Sequence, residues 1–125
     1  MSNHTELVDR YLSIWNEPDA ERRRAMIAKL WTQDAVHFTN SLEARGYDAI
    51  EARVTTAYEK FVATGDYVFK PAGDADDHHN AVRLRWKMLP PKGGDVAAMG
   101  SVFIIVGEDG RIKTDYQFND PTPQA

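Results

Sequence analysis

The first third of the chain alternates apolar and polar residues at helical spacing. Between residues 4 and 16 the apolar positions recur every three or four residues, which predicts an amphipathic helix. Pro18 and Asp19 interrupt this pattern, and Asp19 is a suitable N-cap for a second helix that we expect to end near Trp31. The two apolar stripes comprise Leu7, Val8, Tyr11, Leu12, Ile14 and Trp15, and then Met26, Ile27, Leu30 and Trp31.

A short strand and a third helix are predicted next. Residues 34–39 alternate in polarity and predict a strand, which is followed by a loop over residues 40–46. The third helix has apolar residues at helical spacing, and Gly65-Asp66 is a suitable stop. Its apolar positions are Ile50, Val54, Ala57, Tyr58 and Phe61.

The second half of the chain is strand-like. Turn residues separate its segments, and Asp109-Gly110 is the strongest hairpin signal. Helices followed by strands predict a single α+β domain over residues 1–125, with its helices packed on an antiparallel sheet and residues 121–125 as a loose tail. The predicted strands cover residues 67–70 with a broken extension to 77, and residues 81–89, 96–106 and 111–119.

Two of these strands differ in their pattern. Segment 81–89 alternates cleanly, so one face is expected to be buried and the other solvated. Segment 96–106 is apolar at nearly every position, which predicts that something covers its second face as well. A second copy of the chain is the simplest candidate. The alternative is a central strand that is shielded by its own loops.

Composition narrows the class of protein. The hydrophobic fraction of 42% is enough for one core, and the absence of cysteine excludes disulfides and thiol chemistry. The net charge of -4 argues against nucleic-acid binding. No apolar run is long enough for a membrane span and the start does not resemble a secretory signal, so we expect no membrane association and a cytoplasmic location.

Several short motifs occur in a recognisable order along the chain. They are Trp15-Asn16, Pro18-Asp19, Leu30-Trp31-Thr32, Asp34-Ala35-Val36, Ala44-Arg45-Gly46, Asp48-Ala49-Ile50 and Asp109-Gly110-Arg111-Ile112. Together they resemble the SnoaL-like branch of the nuclear transport factor 2-like superfamily over about residues 7 to 119. The resemblance implies a cone-shaped roll, in which three helices pack on a strongly curved, mostly antiparallel sheet around an internal pocket. Such proteins are usually dimers through the outer sheet face, and they include ketosteroid isomerases, polyketide cyclases and dehydratases.

The resemblance carries over only some catalytic positions. Tyr11 matches the tyrosine with which ketosteroid isomerases donate a hydrogen bond to an oxyanion. Thr39 stands where their general base is expected, and Val102 stands near their second acid, so both acids are missing. In the last strand Asp115 occupies the place of the cyclase histidine and Gln117 replaces the cyclase acid. Known isomerase and cyclase routes therefore do not transfer directly.

His37 and Asp115 remain as candidates for proton transfer. His37 shares strand parity with Thr39, so both are expected to face the interior. If the last strand points as it does in cyclases, Asp115 also faces inward and would orient the imidazole. The period-2 pattern alone favours the opposite orientation, with Tyr116 and Phe118 buried and Asp115 solvated. Both orientations stay open.

The expected pocket holds a small hydrophobic ligand, and no metal or bound cofactor is expected. His78-His79 lies among aspartates, but neighbouring strand residues point to opposite faces and cannot easily chelate one ion. Three functions are compatible: an isomerase, cyclase or dehydratase, a binding domain without turnover, or a dimerising domain with a filled interior. The predicted lining residues are Tyr11, Trp15, His37, Thr39, Val54, Tyr58, Trp86, Val102, Asp115, Gln117 and Asn119, of which His37, Asp115 and Tyr11 are the catalytic candidates.

Overall fold

The computed structural model describes residues 4–122, which form three helices packed on a curved, mixed and mostly antiparallel sheet that does not close. The last three residues of the predicted tail lie outside the described range. The helices are α1 (His4–Asn16), α2 (Ala20–Leu30) and α3 (Gly46–Ala57), the last followed by a π-helical turn (Tyr58–Val62). The strands are β1 (Trp31–Phe38), β2 (Glu43–Arg45), β3 (Val68–Pro71), β4 (Asp76–His78), β5 (Ala81–Leu89), β6 (Ala98–Val106) and β7 (Ile112–Asp120).

The helix boundaries follow the local signals. The Asp19 side chain accepts hydrogen bonds from the backbone N–H groups of Glu21 and Arg22 at 2.9 and 3.1 Å, as expected of an N-cap. Helix α2 ends because Trp31 takes up an extended backbone and begins β1. The third helix does not run unbroken to Gly65, since its last turn widens into the π-helical turn.

A buried cation joins α2 to its neighbours. The guanidinium of Arg23 donates from Nε and Nη2 to the backbone oxygen of Glu17, and from Nη1 to the hydroxyl of Thr55. It also lies 4.5 Å from the centre of the Tyr58 ring. Arg23 is therefore part of the packed interior, whereas its neighbours Arg22 and Arg24 are exposed.

The sheet runs in the order β2-β1-β7-β6-β5-β3, with β4 also paired to β5. All pairs are antiparallel except β1 with β7, which are parallel. Strand β2 was not predicted, because its three residues fall within the expected loop at 40–46. The parallel pair places the first strand beside the last, and so brings His37 opposite Asp115 in register.

A β-bulge decides the orientation of the last strand. The register of β6 against β7 shifts between Ile105 and Val106, which leaves Lys113 unpaired. As a result Ile112 and Asp115 both point inward, although they are three residues apart. The period-2 interpretation that buried Tyr116 and Phe118 is wrong, because those rings are 43% and 53% exposed.

The two sheet faces have different environments. The helices cover the concave face, where Val102 and Ile104 of β6 are fully buried. The outer face carries exposed aromatic rings, among them Phe103 of the same strand. Within residues 4–122 no helix is both long enough and apolar enough to cross a membrane.

Candidate functional site

A buried carboxylate lies at the centre of the candidate site. Oδ2 of Asp115 accepts a hydrogen bond from the Tyr11 hydroxyl at 2.8 Å and contacts Nδ1 of His37 at 2.7 Å. Its Oδ1 accepts from Nε1 of Trp31 at 2.9 Å. These four residues come from α1, β1 and β7, and Asp115 and His37 are both completely buried. We call them the Asp115 cluster.

The hydrogen-bond partners assign the proton positions in the cluster. Burial raises the pKa of Tyr11 well above its ordinary value, and the charge and hydrogen bond of Asp115 raise it further, so the hydroxyl stays a donor. Trp31 can only donate. Because the carboxylate of Asp115 accepts hydrogen bonds, Nδ1 of His37 is assigned as the donor. In this tautomer Nε2 carries no proton and is the acceptor nitrogen.

Arg53 of α3 faces that acceptor nitrogen. Its Nε lies 3.5 Å from Nε2 of His37, a long contact, and its Nη2 donates to Oε1 of Gln117 at 3.1 Å. The guanidinium also lies 5.2 Å from the Trp15 ring centre. Burial lowers the pKa of Arg53, an effect that the charge of Asp115 partly offsets. An arginine nevertheless remains a cation near neutral pH.

Two neighbouring cavities meet at Arg53. The inner one, which we call the chamber, has a volume of about 170 Å³ and mostly apolar walls. The outer one, the mouth, measures about 130 Å³ and is polar. Both are lined by Arg53, Gln117 and Asn119. The chamber is further lined by Tyr11, Leu12, Trp15, Ala57, Phe61, Phe69, Trp86, Met88, Ala98 and Val102, and the mouth by Thr39, Asn40, Ser41 and Leu42.

A larger cleft of about 500 Å³ lies elsewhere, between α1 and the β6–β7 hairpin. It shares no lining residue with the chamber or the mouth and contains no member of the Asp115 cluster. Because the Asp115 cluster and Arg53 lie at the smaller chamber and not at this cleft, we take the chamber as the candidate site.

Seven of the eleven predicted lining residues lie on the walls of the chamber or the mouth. The four that line neither cavity are His37, Asp115, Val54 and Tyr58. His37 and Asp115 lie behind the wall, where they contact lining residues that include Tyr11, Trp15 and Arg53. Val54 is buried in the core and Tyr58 packs against Arg23. The predicted residues that do line the chamber or mouth are Tyr11, Trp15, Thr39, Trp86, Val102, Gln117 and Asn119.

The comparisons with known proteins agree with this architecture. The sequence model of the SnoaL-like domain matches residues 8–114. This chain belongs to the SnoaL-like family. A candidate isomerase of the same family from Agrobacterium tumefaciens str. C58 is 32% identical, with a TM-score of 0.87 over 97% of this chain and 100% of that one. Comparison with curated proteins gives no significant match.

Two more distant structures share the fold of this SnoaL-like chain. A candidate polyketide cyclase from Sinorhizobium meliloti is 17% identical, with a TM-score of 0.68 over 90% of this chain and 93% of that one. An NTF2-like protein of unknown function from Exiguobacterium sp. 255-15 is 20% identical, with a TM-score of 0.67 over 93% and 99%.

Two residues of this SnoaL-like site, Trp31 and Arg53, are not among those predicted from the sequence. The pattern placed Trp31 in the apolar stripe of α2, whereas it begins β1 and its indole N–H binds Asp115. Arg53 could have been found from its spacing, because Arg53, Ala57 and Phe61 are four residues apart and so share one helix face. All three line the chamber.

The histidine pair at the end of β4 differs from its prediction. His79 has a positive φ of 54°, which turns its ring back toward His78 and brings their Nδ1 atoms to 3.2 Å. The expected opposite orientation is therefore wrong. Even so, the described residues contain no group of three His, Cys, Asp or Glu side chains placed to hold a metal ion.

Proposed function

We propose that this SnoaL-like protein is a cofactor-independent enzyme that moves a proton next to a carbonyl group of a small hydrophobic molecule. The observation that carries the proposal is the Asp115–His37 pair, with its 2.7 Å contact in a fully buried environment. A carboxylate on Nδ1 fixes the tautomer and leaves Nε2 as the nitrogen that can accept a proton. The sequence identity of 32% to a candidate isomerase of the same family supports this class.

The proposed step uses three residues. His37 Nε2 takes the proton from the carbon next to the carbonyl, and the electron pair moves to the carbonyl oxygen, which becomes an enolate. The Arg53 guanidinium donates hydrogen bonds to that oxygen. Asp115 stabilises the imidazolium that forms. Return of the proton to another carbon completes an isomerisation, and loss of a neighbouring leaving group completes an elimination.

The route requires Arg53 to move. Nε2 of His37 faces the guanidinium across a long contact of 3.5 Å, and the imidazole itself is fully buried. A ligand oxygen that draws the guanidinium toward the mouth would expose Nε2 to the substrate. Tyr11 donates to Asp115 and not into the chamber, so we assign it a positioning role.

The test measures how fast a ketone takes up deuterium at the carbon next to its carbonyl group. We expect the protein to accelerate exchange of the benzylic protons of phenylacetone in D₂O, measured by proton NMR against buffer. His37→Gln should slow the catalysed exchange about a hundredfold, since general-base catalysis contributes roughly 10²–10⁴. His78→Gln is the matched control, because His78 is exposed and lies outside the site.

A binding domain without turnover is the second candidate, and the complete burial of His37 favours it. Phenylacetone that protects the protein against thermal unfolding but exchanges no faster than in buffer would select this candidate. Equal exchange rates for the wild type and His37→Gln would remove His37 from the mechanism.

We also propose that the protein is a homodimer through the outer sheet face and that it is cytoplasmic, the latter because it lacks cysteine. On that face Phe103 and Phe118 pack edge to face at 5.6 Å, and Phe38 stacks on Tyr116 at 5.0 Å. Exposed aromatic clusters of this kind are typical of interfaces.

The dimer prediction concerns Phe118. We expect Phe118→Lys to convert the protein to a monomer, because the substitution places a charge among the exposed rings. Sedimentation velocity measures the change. Leu42→Lys is the control, since Leu42 is also exposed but lies in a loop. A monomeric wild type, or a dimeric Phe118→Lys variant, would refute this interface.

A further inference from the structure

Two indole N–H groups beside the chamber lack an acceptor. The N–H groups of Trp15 and Trp86 are buried and have no hydrogen-bond partner among the described residues. Both residues line the chamber, although the nitrogen atoms themselves are not accessible from it. Buried N–H groups are nearly always paired in folded proteins, so the surroundings of the chamber are short of acceptors.

Arg53 carries an unused donor edge as well. Its Nε and Nη2 have partners in His37 and Gln117, whereas Nη1 has no hydrogen bond within residues 4–122. No carboxylate pairs directly with Arg53 within that range, and neither the chamber nor the mouth is lined by Asp or Glu. A half-buried guanidinium without an anion at the junction of two cavities suits an anionic ligand group.

The size and polarity of the cavities define the rest of the ligand. A volume of about 170 Å³ is close to that of an apolar cavity that binds benzene, roughly 150 Å³, and below the roughly 300 Å³ at which pockets for drug-sized molecules begin. The chamber therefore fits one six-membered ring and not a fused polycycle. The polar mouth beyond Arg53 has room for a short chain with a charged end.

We propose that the substrates are single-ring organic acids, in which the ring occupies the chamber and the carboxylate binds the free edge of Arg53. This inference rests on the proposed function and narrows its substrate class. The free Nη1 edge takes the carboxylate, and the edge beside His37 remains available for the reacting carbonyl.

The test compares a carboxylate probe with a neutral probe that has the same ring and the same chain length. We expect 3-phenylpropionate to bind at least tenfold more tightly than 3-phenylpropan-1-ol at pH 7, as measured by isothermal titration calorimetry. Arg53→Gln should bring the two affinities within about threefold of each other. Arg10→Gln is the matched control, because Arg10 is exposed on α1 and lines neither cavity.

Each outcome of this experiment is decisive. Equal or tighter binding of the alcohol, or no binding of either probe to the wild type, would overturn the inference even if Arg53→Gln fails to fold. A two-ring acid, 3-(2-naphthyl)propionate, that binds as tightly as the one-ring acid would overturn the size limit. If the protein accelerates deuterium exchange of phenylacetone but does not prefer the acid probe, this inference is refuted and the proposed catalysis stands. If the protein binds the acid probe but does not accelerate exchange, the proposed catalysis is refuted and the preference for acids stands.

Discussion

Replacement of Asp115 by alanine is expected to lower the free energy of unfolding by about 4 kcal/mol at pH 7. The carboxylate accepts hydrogen bonds from Tyr11, Trp31 and His37, and all of these groups are buried. Each donor that loses its partner in the interior costs about 1–3 kcal/mol, although solvent entering the vacated space reduces their combined effect. Urea denaturation followed by far-ultraviolet circular dichroism measures the change.

Two variants control this prediction. Asp9→Ala removes an exposed aspartate from α1 and should change stability by less than about 0.5 kcal/mol. Asp115→Asn keeps the side-chain volume but presents an amide N–H₂ group to the buried donors, so we expect a loss of about 2–3 kcal/mol. A loss below about 1 kcal/mol for Asp115→Ala would show that the cluster does not hold α1, β1 and β7 together.

The sequence predicted most of the fold because its signals are local. The helical stripes, the Asp19 cap and the clean alternation of β5 each depend on residues close together in the chain. The apolar pattern of β6 predicted that both of its faces are covered. Val102 is buried beneath the helices, whereas Phe103 is 42% exposed on the outer face, so the cover of that face stays a prediction. The three-residue strand β2 was missed because it pairs with β1 without any pattern of its own.

The site was only partly predictable because its contacts are long-range. Asp115 meets Tyr11, Trp31 and His37 across 104, 84 and 78 positions of the chain. The bulge at Lys113 adds one residue to β7 and reverses its parity, which no periodicity argument can detect. The bulge is the reason that Asp115 points inward, as in the orientation that the resemblance to cyclases implied. Simple alternation along the strand predicted the opposite orientation.

The shape of the chamber depends on one glycine. A Cβ atom at Gly100 would overlap the six-membered ring of Trp86 and the backbone oxygen of Phe118. The Trp86 indole therefore packs closely against the backbone of β6 at a position without a side chain, and the same indole lines the chamber. Glycine is required here by close approach, and its φ is ordinary.

We expect Gly100→Ala to lower the free energy of unfolding by about 3 kcal/mol and to weaken binding of 3-phenylpropionate at least tenfold. The added methyl group overlaps both neighbours, so Trp86 must tilt into the chamber, and the Phe118 oxygen must shift within the β6–β7 ladder, which strains the backbone. Urea denaturation and calorimetric titration measure the two effects.

Gly107→Ala is the matched control for this prediction, since the nearest atoms to its added Cβ belong to the flexible side chain of Lys113 at 3.1 Å. It should cost less than about 1 kcal/mol and leave binding unchanged. The double variant Gly100→Ala with Trp86→Phe should recover part of the lost stability, because the smaller ring relieves the overlap. Normal binding by Gly100→Ala would mean that Trp86 is not the wall that limits the ligand to one ring.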